Sequence, residues 1–210
     1  MKKLILVAGG TASGKTMIAK IISQEYLNRG IKSTLVTMDN YYKSIDQLPE
    51  NNGLDVNWDD PKTVDWELFI SDIKKLMAGK NIVKKTYDFN FYKHIGEKIK
   101  YTSNEVIIIE GLFALANKEL REISHSKIFI HADDDVRLVR RIRRDSSIRS
   151  KQIFELDFFL KRWINDIKPM HNKYIKITND FADFIIKNNE EFVDKEKERM
   201  INLLNSIVVK

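Results

Sequence analysis

Eight consecutive residues, Gly9-Gly10-Thr11-Ala12-Ser13-Gly14-Lys15-Thr16, fit the pattern G-x-x-x-x-G-K-[ST] without a gap. Glycines let such a loop turn so that successive backbone N–H groups converge on phosphate oxygens. The lysine then reaches the outer phosphates, and the threonine hydroxyl is placed for a magnesium ion. The pattern carries weight only between a strand and a helix, and both are predicted here. Leu4–Ala8 is a short apolar run, and residues 15–28 set Ile18, Ile21, Ile22 and Tyr26 at helical spacing before Gly30. A glycine turn that merely happened to carry Lys-Thr would need no such flanks.

The rest of the chain alternates strands and helices. Ser33–Met38 is β-branched and predicts a second strand, and residues 39–62, with Pro49, Gly53 and Pro61, predict a long surface excursion. A helix over 64–78 is closed by Gly79, and the aromatic-rich alternation of 82–101 predicts a β-hairpin or small subsheet. Val106–Glu110 is the clearest buried strand, Lys127–His131 another, and helix 133–145 opens on Asp133-Asp134-Asp135. Phe184–Lys187 predicts a last strand and 190–208 a closing amphipathic helix. No repeat or composition break divides the chain, so the expectation is one α/β domain over 1–210, three-layered around a mainly parallel sheet.

Composition removes several classes of function. There is no cysteine, hence no disulfide, thiolate metal site or cysteine nucleophile, and the four histidines are scattered. The amino end imitates a signal peptide, but its apolar core is five residues and glycines follow at once. With no long apolar run either, the expected location is cytoplasmic, away from membranes. The net charge of +6 is concentrated: residues 137–151 hold seven bases and one acid, and the other 195 residues hold 29 of each. A dense arginine cluster in an otherwise neutral chain suits a compact polyphosphate better than a nucleic-acid track, because each guanidinium grips phosphate oxygens in pairs. The plainer alternative is a solvated helix face.

Two carboxylates complete the expected site. Glu110 closes the Val106–Ile109 strand and Asp39 follows the second strand. In an open parallel sheet ligands collect beyond the carboxyl ends of the strands, so both acids should share a crevice with Lys15 and Thr16. One carboxylate there would assist the magnesium ion, and the other would position and deprotonate an attacking hydroxyl. Trp58, Tyr87, Phe89, Phe91 and Tyr92, interrupted by Asp59, Asp60 and Asp88, suit an acceptor that is a flat ring on a polyol. Packing beneath a hairpin accounts about as well for Phe89 and Phe91 individually.

Several blocks together carry a resemblance. The phosphate loop, Met38-Asp39-Asn40-Tyr41-Tyr42-Lys43, Asn57-Trp58-Asp59-Asp60-Pro61, Tyr87-Asp88-Phe89, Ile109-Glu110-Gly111, Arg140-Arg141-Ile142-Arg143-Arg144-Asp145, Ile167-Lys168-Pro169-Met170 and Phe181-Ala182-Asp183 occur in order. Over residues 3–187 the chain resembles the uridine kinase (uridine–cytidine kinase) family of P-loop kinases. That resemblance implies a P-loop NTPase-type fold with an inserted hairpin at about 82–101 and a helical lid at about 144–163. It implies phosphorylation of the 5′-hydroxyl of uridine or cytidine, with ATP or GTP as donor and Mg²⁺, in pyrimidine salvage by a homotetramer. Asp39 would be the general base, with Thr16, Glu110 and Asp39 at the metal. Asp59 would hold the ribose, Tyr87 would contact the base, and Trp58 and Phe89 would wall it. Tyr42, Tyr92 and Lys151 would complete the acceptor set. Arg141 would bridge acceptor and phosphate, with Arg144 and Arg149 in the lid over the phosphates.

On helix 133–145, Arg137, Arg141 and Arg144 share one face, and Leu138, Val139 and Ile142 are expected to face the sheet. The chain departs from the family at three points. An arginine-glycine-arginine turn is here Arg149-Ser150-Lys151. The stretch 152–163 is longer than usual and carries Arg162 near a usual glutamine, and Tyr92 stands where a base-reading histidine is common. Tyr92 is therefore expected to alter base selectivity. The rival readings are the same chemistry on pantothenate or a pentose phosphate, and a nucleotide-binding regulator without turnover.

Overall fold

The computed structural model describes residues 2–49, 56–147 and 154–189. Its strands are β1 (Lys3–Gly9), β2 (Ser33–Thr37), β3 (Ile82–Lys85), β4 (Lys98–Tyr101), β5 (Val106–Gly111), β6 (Ser126–His131) and β7 (Phe184–Lys187). Five of them form a parallel sheet in the order β2-β5-β1-β6-β7. β1 and β5 are apolar along most of their length because both faces of the sheet are covered. Successive side chains point to opposite faces. Leu4, Leu6 and Ala8 thus join Ile107, Ile109 and Phe129 against α2 (Trp66–Met77), through Phe69, Ile73 and Leu76. Ile5 and Val7 join Ile108, Ile128 and Ile130 against α1 (Lys15–Asn28), through Ile18, Ala19, Ile22 and Tyr26.

The predicted elements shift in detail. β2 ends at Thr37, and Met38–Tyr41 is a 3₁₀ turn whose cap is the Thr37 side chain, accepting from the Asp39 N–H. α2 begins at Trp66 because the Asp65 carboxylate caps it, accepting from the Leu68 N–H at 3.1 Å. The hairpin consists of β3 and β4 alone, antiparallel from Ile82↔Tyr101 to Lys85↔Lys98. A short helix, α3 (Lys118–Ile123), was not expected. The closing helix predicted over 190–208 and the Arg149-Ser150-Lys151 turn lie outside the described residues.

After α4 (Asp134–Ser147) the helical structure extends well beyond the lid expected at about 144–163. Helical turns run from Leu156 to Phe181: α5 (Leu156–Arg162), a π turn at Trp163–Ile167, α6 (Lys168–Met170), a second π turn at His171–Ile175, and a 3₁₀ turn at Lys176–Phe181. From Phe159 to Ile175 its buried residues are Phe159, Trp163, Ile167, His171 and Ile175, one every fourth position, and Thr178 is buried in the last turn. On an ideal α-helix that spacing drifts about 40° per step. The wide turns remove the drift and keep the stripe on one side. They flank Pro169, whose missing N–H already breaks the regular ladder.

His171 lies in this stripe, packed against Gly10 of the phosphate loop. Burial, reinforced by the Arg137 charge, lowers its pKa from 6.5 to about 4. Between those values the unfolded chain holds a proton on this histidine and the folded chain does not, so stability falls as pH falls from 6.5 towards 4. The full shift corresponds to roughly 3 kcal/mol. His171→Phe should make the melting temperature less sensitive to pH across this window, with the two proteins diverging most near its acid end. Parallel profiles would rule the linkage out.

Candidate active site

The phosphate loop is formed by β1 stopping at Gly9 and α1 starting at Lys15. Between them Ala12 and Gly14 adopt left-handed backbone conformations, at φ 57° and 91°. The loop is held from several sides. The Ser13 N–H donates to the Gly10 carbonyl at 3.1 Å, and Asn188, just past β7, donates from Nδ2 to the Ser13 carbonyl at 2.7 Å. The guanidinium of Arg137, fully buried, lies against Gly10 beside His171. Its Nη2 is paired with Asp134 at 2.6 Å and its Nε donates to the Ala132 carbonyl at 3.2 Å.

Lys15 is enclosed. Burial lowers its pKa, and the charges of Glu110 and Asp39 work the other way. Register explains Glu110, since Val7↔Glu110 puts this buried carboxylate beside the end of β1. The Thr16 hydroxyl donates to Glu110 Oε2 at 3.0 Å. Asp39, half-buried, comes from the 3₁₀ turn after β2, so the three groups converge as the crevice rule requires.

Beyond Lys15 opens a cavity of about 300 Å³, lined by Thr11, Lys15, Asp39, Tyr42, Trp58, Asp59, Phe89, Tyr92, Arg141 and Arg144. Trp58 and Tyr92 are stacked, with centroids 5.1 Å apart and planes 4° from parallel. Tyr92 reaches this position from a left-handed backbone, φ 52°, and its carbonyl accepts from the Ile45 N–H at 2.9 Å. Tyr42 is buried edge-on to Trp58 and Phe89. Asp59 is buried as well: burial raises its pKa, against the positive charges of Arg141, Arg162, Lys15 and Arg137.

Tyr87 does not line this cavity. It stands behind the wall, with its hydroxyl donating to the Lys43 carbonyl at 3.2 Å and its N–H to Asn40 Oδ1 at 3.0 Å. His94 packs edge-on beneath Tyr87, with Nε2 2.8 Å from the Tyr42 carbonyl.

The arginine face of α4 divides by depth. Arg141 and Arg144 line the cavity, both anchored by Asp145. Arg141 Nε is 2.6 Å and Arg144 Nε 2.9 Å from its carboxylate, and Arg141 Nη1 donates to Thr11 Oγ1 at 2.5 Å. Burial works against the Asp145 charge, but the two arginines outweigh it and hold the carboxyl below its usual range. Arg137 instead sits beneath the loop. Leu138 and Ile142 pack on Phe159, Trp163 and Ile167 rather than on the sheet, and Val139 is exposed.

The outer wall comes from within the helical lid expected at about 144–163, although of its side chains only Arg162 was singled out in the sequence. Phe154, Glu155, Phe158, Phe159 and Arg162 close the cavity from the run that begins with α5. The four-residue apolar stripe is the signal that would have revealed how far this helical run extends. For Asn188 the only clue was its place at the carboxyl end of a parallel strand.

A half-buried lysine in a glycine loop, a hydroxyl–carboxylate pair beside it and a second carboxylate lining the same cavity as the lysine define a P-loop kinase, an enzyme with a nucleotide phosphate donor. Comparison with known proteins gives the family. Residues 4–192 match the model of the phosphoribulokinase / uridine kinase family. The uridine kinase of Staphylococcus haemolyticus is 36% identical over 183 residues, spanning 87% of this chain and 86% of that protein. That of Brevibacillus brevis is 37% identical over 184 residues, spanning 87% and 83%. Phosphoribulokinase from Rhodobacter spheroides shares the fold, with a TM-score of 0.63 at 13% identity over 89% of this chain and 70% of that one. The chain belongs to the phosphoribulokinase / uridine kinase family. Among the described residues no helix is long and apolar enough to cross a membrane.

Proposed function

We propose that the protein transfers the γ-phosphoryl group of ATP, or GTP, to the 5′-hydroxyl of a pyrimidine ribonucleoside, uridine or cytidine, yielding the monophosphate for pyrimidine salvage. One observation carries the reading: Asp39 and buried Asp59 share a cavity with Lys15, and that cavity is walled by Trp58, Tyr92 and Phe89. Aromatic faces suit a base, and a buried carboxylate suits vicinal sugar hydroxyls. A pentose phosphate would leave the aromatic wall without a partner.

The chain's own groups account for the steps. Asp39 accepts the proton of the 5′-hydroxyl as its oxygen bonds to phosphorus and the bond to the nucleoside diphosphate breaks. Asp59 accepts from the ribose hydroxyls and fixes the attacking oxygen in line. Lys15, the loop N–H groups, Arg141 and Arg144 meet the charge on the transferring group, the main catalytic contribution in this chemistry. Thr16, Glu110 and Asp39 are oxygen donors of the kind magnesium takes alongside substrate phosphates. When bound, the ion would neutralise phosphate charge.

The test is coupled ADP release with ATP–Mg²⁺ and, separately, uridine, cytidine, adenosine, pantothenate and ribulose 5-phosphate. Turnover should depend on a pyrimidine nucleoside. Turnover with pantothenate or the pentose phosphate alone would replace the acceptor, and ATP binding without any acceptor-dependent turnover would favour a regulator.

A further inference from the structure

Arg162 stands on the acceptor side of the cavity, at the end of α5. Its Nη2 donates to the carbonyl of Val56 at 2.8 Å, across 106 residues of sequence. Its Nε is paired with Asp166 at 3.3 Å. Val56 is buried and opens the short segment that carries Trp58 and Asp59. The hydrogen bonds within that segment are local, from the Asp59 N–H to Asn57 Oδ1 and from the Asp60 N–H to the Asn57 carbonyl. They shape the turn without tying it to α5. Arg162 supplies that tie.

It also supplies charge. A buried carboxylate stays ionised only where cations compensate the lost water. Four cations face Asp59, and Tyr42 shares its burial. Arg141 is committed to Asp145 and Thr11. Lys15 lies between Glu110 and Asp39, and Arg137 is held below Gly10 by Asp134 and Ala132. Arg162 is the cation that approaches from the acceptor side, and its shortest contact is with the segment Asp59 belongs to.

We propose that Arg162 is a positioning residue for the acceptor: it fastens the Val56–Asp60 segment beneath α5 and keeps Asp59 ionised, ready to accept from two sugar hydroxyls. The kinetic half of this rests on the ribonucleoside reading given above. A guanidinium suits the task because its planar fork serves a carbonyl and a carboxylate at once, which an ammonium cannot do with the same geometry.

Two measurements test it on the full-length protein, with wild type, Arg162→Gln and Arg162→Lys compared after melting curves establish folding. The first is carbon-13 NMR titration of the Asp59 carboxyl, assigned by its loss in Asp59→Asn. Its midpoint should move up in Arg162→Gln and return towards wild type in Arg162→Lys. The second is steady-state kinetics with uridine and ATP–Mg²⁺. Arg162→Gln should raise KM for uridine about tenfold, the loss expected for one charge-assisted bond. The kcat and the KM for ATP should stay within about threefold. The acidic limb of kcat/KM for uridine should shift to higher pH. Arg162→Lys should restore that limb while recovering KM only in part.

An unmoved Asp59 titration in Arg162→Gln overturns the proposal, as does a fall in kcat with KM unchanged. Should the glutamine variant fail to fold, the lysine variant decides: a raised KM with an unshifted acidic limb supports the role, and wild-type kinetics overturn it. If Asp59 titrates as expected but wild type turns over no nucleoside, the acceptor reading fails and the hold of Arg162 on Asp59 stands.

Discussion

Asp39→Asn is expected to lower kcat for nucleoside phosphorylation about a thousandfold, within the range that a positioned general base contributes. Asparagine keeps the size of the side chain and one acceptor oxygen but cannot take the proton of the attacking hydroxyl. Folding should be unaffected, because the tie at this residue is its backbone N–H to Thr37 Oγ1, at 3.4 Å. The KM values for ATP and nucleoside should therefore stay within about threefold, since the loss falls on the transition state rather than on binding. A second effect has a definite sign. Burial lowers the pKa of Lys15, and Glu110 and then Asp39 oppose that fall. Removing the Asp39 charge lowers it further, so the alkaline limb of the residual activity should move to lower pH. Initial-rate kinetics from pH 6 to 10, in roughly half-unit steps, would read both effects. A loss below about tenfold would remove Asp39 from the role of base and leave it one of orientation.

That Asp39, Lys15, Thr16 and Glu110 converge was legible in the sequence for a physical reason. β1 and β5, buried on both faces, are unmistakable as apolar runs, and β2 shows by its β-branched residues. Glu110 stands at the carboxyl end of β5, Asp39 follows β2, and Lys15 and Thr16 open the helix that follows β1. The topology that unites them follows from parallel pairing. Where the reading stopped short, the missing information was not local. Arg137, Arg141 and Arg144 do share a face, but periodicity gives direction around a helix axis and not depth along it. Only the packed structure puts Arg137 beneath Gly10 and the other two in the cavity. Tyr87 fits an alternating aromatic segment like Phe89, yet its hydroxyl is taken by the Lys43 carbonyl behind the wall. The continuation of the helical run beyond the lid, from Trp163 to Phe181, escaped because its stripe repeats every four residues, a period that departs from 3.6 and that π turns around Pro169 make workable. Arg162 was visible as a departure from the family, but its partner Val56 is 106 residues away.

Gly14→Ala should damage both stability and catalysis, and Gly30→Ala provides the control that separates the causes. Both glycines have left-handed backbones, φ 91° and 76°, and a side chain there costs about 1–2 kcal/mol. At Gly30 nothing lies within 4 Å of the added methyl, so backbone strain is the whole effect. At Gly14 the methyl falls on Nδ2 of Asn188, which is buried and donates to the Ser13 carbonyl. Asn188 cannot retreat by shifting its backbone. Its N–H donates to the His131 carbonyl at 2.8 Å, and its own carbonyl accepts from Arg140 Nη1 at 2.8 Å. The amide must swing away instead, leaving buried polar groups unpaired at a further cost of about 1–3 kcal/mol. Urea unfolding should therefore find Gly14→Ala less stable than Gly30→Ala by about 2 kcal/mol. Catalysis should divide the pair more sharply. Lys15 is the first residue of α1 and takes its direction from the turn at Gly14, so kcat/KM for ATP should fall a hundredfold or more, about 3 kcal/mol of transition-state stabilisation. Gly30→Ala, at the far end of α1, should keep it. Equal stability of the two variants would show that the Asn188 contact yields without cost, and retained activity in Gly14→Ala would show that the loop finds its working shape without that glycine.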